Sequence, residues 1–171
     1  MNWDAIAAVG EILGAIAVVI SLLYLAVQIR QNSRAMKGAS THGITQTIQS
    51  ELRWSFDYGE AFLKMINDPA TLTELEAFKL GEWLTAAMMA RQNEFIQYRQ
   101  NLVDEDVWIA TRGIIKTIMA MPWCKNWWEN IDKVAFVPEF IELVESVLGE
   151  DHLFSHQDYV RSIRGSNVGE T

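Results

Sequence analysis

The sequence predicts an all-α protein: one N-terminal transmembrane helix followed by a cytoplasmic antiparallel helical bundle. Three observations carry that prediction. Residues Ala5 to Ile29 read AIAAVGEILGAIAVVISLLYLAVQI, with Arg30, Arg34 and Lys37 directly behind them. No run shows sustained period-two alternation bounded by turn signals, which strands require. Half of the 171 residues are hydrophobic, enough for one anchor and one domain of about 110 to 120 residues.

The apolar run comes first. Twenty-five residues at about 1.5 Å each reach roughly 37 Å as a helix, and a bilayer core is about 30 Å thick. Between Ile12 and Val27 the polar groups are Tyr24 and the Ser21 hydroxyl, which can bond back to its own helix. A cleaved signal peptide wants a positive n-region, a shorter apolar core and a small-residue cleavage site. Here the n-region carries Asp4 and no A-x-A follows. An uncleaved anchor is therefore expected. Loops rich in Lys and Arg stay in the cytoplasm, so the N-terminus is expected outside and the chain from Arg30 onward inside.

The anchor is not uniform around its circumference. Stepping by three and four residues gives Ala7, Gly10, Gly14, Ala17, Ser21, Tyr24 and Gln28, a mostly small face. In lipid, helix association depends on close backbone approach and interhelical hydrogen bonds, which Ala7, Gly10, Gly14, Ala17 and Ser21 permit. The heptad-like period suits a left-handed crossing. Glu11 is the one ionisable residue inside the span, and a carboxylate at mid-bilayer costs at least about 2.5 kcal/mol. Three readings stand. It lines an ion path in an oligomer, it reaches interfacial water near the outer surface, or it hydrogen-bonds between helices while protonated.

The rest of the chain divides as 1–37 (anchor with basic flank), 38–150 (helical bundle domain) and 151–171 (polar tail). Gly38 and the following ASTHG stretch are expected to loosen the anchor helix. A helix is then predicted from Ile44 to Ile66, ended by Asn67-Asp68-Pro69. Thr71-x-x-Glu74 and Thr73-x-x-Glu76 are two candidate capping boxes for a helix reaching Gln100. Asp104 is placed to cap a helix to Met121. Pro122 starts a short Trp-rich helical turn, and Pro138 opens a helix over Glu139 to Leu148 that Gly149 closes. Short connections predict antiparallel neighbours. The last residues, Asn167 to Thr171, are expected to fray.

Charge narrows the function classes. Net charge is −8, and past Lys37 there are 11 Lys or Arg against 20 Asp or Glu. Nucleic-acid binding wants a basic face and is not expected. The single Cys124 excludes an intrachain disulfide framework and, among Trp123, Trp127 and Trp128, reads as a buried structural thiol. No cofactor and no metal are expected. His152 and His156, four apart beside Glu150, Asp151 and Asp158, have no fixed third ligand and read as a solvated tail. Asp104, Glu105 and Asp106 complement a helix N-terminus. Motifs for di-iron, phosphate-loop, dinucleotide or nucleophile-elbow chemistry are absent.

Two constellations stay open. Arg91, Asn93, Glu94, Tyr98 and Arg99 put polar groups on an otherwise apolar helix. They line a ligand pocket or satisfy one another in the core. Trp123, Trp127 and Trp128, with Phe136 and Phe140, are either an interaction surface or a lid on the bundle. Trp3 fits an outer interfacial anchor, and Trp54, Trp83 and Trp108 fit a core.

Several segments taken together resemble a widespread family of small uncharacterised bacterial single-pass membrane proteins. They are NWDAIAAVGEILGAIAVVISLLYLAVQIRQNSRAM, NEFIQYRQNLVDEDVW, PWCKNWWEN and FVPEFIELVESVL, spanning Trp3 to about Leu148. The resemblance implies a bacterial inner (plasma) membrane location and a helical cytoplasmic domain. It carries no activity and no catalytic residues. The expected function is a structural or accessory membrane protein, not an enzyme. Its partners are the lipid bilayer and either its own copies or the subunits of a larger membrane complex. The alternatives are a homo-oligomeric ion- or proton-conducting assembly using Glu11, and a small-ligand sensor or enzyme using the Arg91–Arg99 region.

Overall fold

One helix, α1 (Trp3–Asp57), runs 55 residues without a break in the computed structural model, which describes residues 2–150 and 162–163. At 1.5 Å per residue it is about 80 Å long. It is followed by α2 (Gly59–Asn67), α3 (Glu74–Arg99), α4 (Glu105–Met119), α5 (Pro122–Asn130) and α6 (Pro138–Leu148). Short 3-10 turns at Pro69–Thr71 and Lys133–Ala135 complete the order, and no strand occurs among the described residues.

The sequence predicted that α1 would loosen at Gly38, and it does not. The physical reason lies on one strip of the helix. Lys37, Ser40, Ile44, Thr47, Glu51 and Trp54 recur at alternating three and four residues and meet the rest of the chain. Lys37 pairs with Asp104, Ile44 is buried, Glu51 pairs with Arg91, and Trp54 stacks on Trp83 at 5.8 Å. Ser40 and Thr47 line a cleft against α3. Gly costs about 1 kcal/mol relative to Ala within a helix, a sum this packing offsets. The polar side chains do not pull the backbone away either. Thr41, Thr45 and Thr47 donate to the carbonyls of Lys37, Thr41 and Gly43, four residues back.

The predicted Ile44–Ile66 helix is likewise corrected. It belongs partly to α1 and partly to α2, with a break at Tyr58 (φ −116°, ψ 24°). The break turns α2 onto α3, so that Phe62 meets Trp83 edge-on at 4.9 Å while Tyr58 stays against Trp54 at 4.3 Å. Asp104 also departs from expectation. It stands at the start of α4 with extended backbone, but its carboxylate goes to Lys37 and not to an α4 amide.

Other boundaries follow local chemistry. Of the two candidate capping boxes, the one at Thr73 forms: its Oγ1 accepts from Glu76 N at 3.2 Å, and Glu76 Oε2 accepts from Thr73 N at 2.8 Å. Lys64 adds a third bond to Glu76, 2.8 Å from Oε1. Together, Lys64 first, these hold the Glu76 carboxyl down at about 2, against an ordinary 4.5. Its contribution to stability is therefore present above pH 4.5 and lost as pH falls toward 2. Acid unfolding of the wild-type protein is expected to show this loss, and Glu76→Gln should flatten the curve in that window. Parallel acid profiles for the two proteins would contradict the assignment.

At the other end of α3, Asn101 takes φ 59°, a left-handed conformation that Asn tolerates. Leu102 N then donates to the Gln97 carbonyl and Asn101 N to that of Tyr98, a Schellman closure. Pro122 and Pro138 open α5 and α6, and Gly149 closes α6 with its amide on the Glu145 and Ser146 carbonyls.

The core forms where α3, α4, α5 and α6 converge. Leu84, Met88, Ile115, Met119, Cys124, Trp128, Phe140, Val144 and Val147 are all enclosed, and Phe140 sits centrally between Phe95, Trp128 and Phe136. Gln92 fastens the entry to α6: its Nε2 donates to the Ala135 carbonyl at 3.3 Å, and its Oε1 accepts from Val137 N at 2.6 Å.

Candidate functional site

The N-terminal part of α1 is the least covered part of the structure. It is long and apolar enough to cross a membrane, and no residue of its apolar window is buried by the other described residues. Ala7, Gly10, Gly14, Ala17 and Ser21 are all exposed on it. A Cβ added at Gly10 or Gly14 meets nothing within 4 Å, so the close-approach surface is free within one chain. Ser21 Oγ donates to the Ala17 carbonyl at 2.8 Å, satisfying the hydroxyl within its own helix. One step further along the face, Gln28 Nε2 donates to Tyr24 Oη at 2.8 Å. Glu11 is exposed beside Gly10, at the edge of this face.

The second constellation lies where α1 crosses α3. Arg91 is fully buried. Its Nη2 donates to Glu51 Oε1 at 3.0 Å and stands 3.0 Å from Glu94 Oε1, an ion contact without hydrogen-bond alignment. Burial pushes the carboxyls of both Glu51 and Glu94 upward, and the Arg91 charge pulls each back down. Thr111 on α4 also favours the Glu94 carboxylate. Arg91 Nε and Nη1 and Gln97 Oε1 are enclosed without hydrogen-bond partners, so the crossing concentrates buried polarity. Beside it opens a cleft of about 340 Å³, floored by Gly43 and Ala90 and flanked by Ser40, Asn93, Glu94 and Gln97.

The polar residues singled out on α3 thus divide. Arg91 and Glu94 come together, and Asn93 lines the cleft. Tyr98 stacks on Trp108 at 5.1 Å, while Arg99 pairs with Glu139 at 3.0 Å on the surface. Sequence reasoning missed Glu51, the partner forty residues away. Its signal was phase: it follows Ile44 by seven residues and precedes Trp54 by three, on the strip that faces the domain.

The three clustered tryptophans divide as well. Trp128 is enclosed between Phe136 and Phe140, with Lys133 Nζ 5.3 Å above its ring. Trp123 and Trp127 are half-buried against the core and border an apolar groove with Met65, Leu72 and Leu80. Cys124 is completely enclosed, and burial pushes its thiol well up, so it stays protonated and inert as a nucleophile. Among the described residues, no group of three or more His, Cys, Asp or Glu is placed to hold a metal. His152 and His156 lie outside the described residues, as does nearly all of the 151–171 tail.

Comparison with family models, with curated proteins and with solved structures finds no match.

Proposed function

We propose that this protein is a single-pass membrane protein of structural or accessory role, belonging to the family of small bacterial membrane proteins that its segments resemble. Its anchor associates through the small face of α1, and its acidic helical domain lies in the cytoplasm. The observation that supports this reading best is the wholly uncovered apolar stretch of α1, which no other part of the described residues shields from water. An isolated apolar surface of that size needs lipid or another helix around it. Orientation follows from Arg30 and Arg34 at the end of the span, with Lys37 engaged by Asp104 of the domain.

The small face supplies the mode of association, since lipid gives helices no hydrophobic gain from pairing and rewards close backbone contact instead. The test is the native mass of the full-length protein in mild detergent, beside a Gly10→Leu, Gly14→Leu variant. Both substitutions project into open space in a single chain, so they leave its fold intact. The wild type is expected as a defined oligomer and the variant as a monomer. A monomeric wild type, or an oligomer unchanged in the variant, would overturn association through this face.

A further inference from the structure

We infer that the self-association seam does not end with the membrane but continues down α1 into the domain, where a second copy of this chain packs against it in parallel. The inference rests on the proposed association of the anchor and extends it. The small face advances by three and four residues from Ala7 to Gln28. The same steps carry on without a slip through Gln31, Ala35, Gly38, His42 and Thr45 and finish at Gln49, Leu52 and Phe56. All of these positions are exposed, and Phe56 is 82 % exposed, a large apolar side chain standing in solvent. Because α1 is unbroken at Gly38, the register is continuous from end to end.

Three observations point to a second copy as the occupant. The first is charge. α1 carries Asp4, Glu11, Arg30, Arg34, Lys37, Glu51, Arg53 and Asp57, none of them on the seam, where the one imidazole is that of the exposed His42. Parallel copies set each seam residue opposite itself, so any charge there would face its like. Gln and Thr, each both donor and acceptor, can pair with themselves. The second is direction. The strip that holds the domain, from Lys37 to Trp54, lies about 160° around the helix from the seam at 100° per residue. Two copies can therefore meet along the seam with both domains held outward. The third is size. A strip about 80 Å long and roughly 10 Å wide is about 800 Å² per copy, the standard for a stable interface. The part beyond the span offers only about half of that, so it forms once the anchors have brought the copies together. A strict seven-residue repeat on an α-helix supercoils left-handedly, which keeps the distal seam in contact.

The test places single cysteines in the full-length protein in mild detergent: Thr45→Cys and Gln49→Cys on the seam, and Ser50→Cys one residue off it. All three sites are exposed, and the natural Cys124 is enclosed, so the wild type serves as the unreactive control. Mild oxidation is expected to link Thr45→Cys and Gln49→Cys into dimers about tenfold faster than Ser50→Cys, because a disulfide needs Cβ atoms about 4 Å apart. Equal rates at all three sites in a protein whose native mass is oligomeric would confine association to the span and overturn this inference alone. A monomeric native mass would overturn both it and the anchor reading.

Discussion

Arg91→Ala is expected to cost the domain about 3–5 kcal/mol, the usual penalty for removing one partner of a buried ion pair. Arg91 is fully enclosed, Glu94 nearly so, and Glu51 is one-fifth exposed, so two carboxylates would be left at the α1–α3 crossing without their cation. The consequence has a pH signature. Burial already raises both carboxyls, and Arg91 is the largest influence that lowers them. Without it their folded-state values rise further, so the folded state binds protons more readily than the unfolded one, and the variant should regain stability as pH falls below neutrality. Denaturant unfolding followed by tryptophan fluorescence at pH 7 and pH 5 reads both effects. A loss below about 1 kcal/mol would show that the triad is solvated and not a buried ion pair. A double change, Arg91→Met with Glu94→Leu, should recover much of the loss, since apolar replacements of a buried pair are often neutral.

Trp128→Ala should be of comparable size, about 3–5 kcal/mol, from lost burial and the cavity left behind. The ring is enclosed by Phe136 and Phe140, and neither side can collapse without moving α6. Val134→Ser, 87 % exposed in the turn before α6, provides the matched control, expected within about 0.5 kcal/mol of wild type. The comparison separates the two roles open to the Trp123–Trp128 cluster. A lid makes Trp128 indispensable to folding. If Trp128→Ala leaves the unfolding midpoint unchanged, the enclosed packing of that ring is wrong and the cluster would be surface.

Much of the architecture was legible because it depends on neighbours in sequence. The capping box at Thr73 needs only two residues three apart, and it starts α3 where the pattern placed it. Pro122 and Pro138 open helices because their fixed φ and missing amide suit a first turn. The apolar run is a matter of composition, and the structure leaves it as bare as the sequence suggested. The polar cluster on α3 was half legible. Arg91 and Glu94 are one turn apart on the same helix, but Glu51 reaches them from a helix whose packing no local rule reveals.

Gly38 and Gly43 mark the division between the two kinds of information. By itself the sequence determined the local terms: helical period, caps, prolines, an apolar run interrupted by Glu11, and the acidic remainder. Local propensity also argued for a loosened chain at those glycines, and locally it is the weaker helix. Only the tertiary structure decided that α1 runs straight through them. Ile44 buries its side chain, and Glu51 meets Arg91, Trp54 stacks on Trp83 and Lys37 meets Asp104, these three pairs across at least 29 residues of chain. Such contacts outweigh a penalty of about 1 kcal/mol per glycine. They exist only once α3 and α4 are in place, so the apolar run and the segment packed on the domain became one continuous helix through packing and not through propensity.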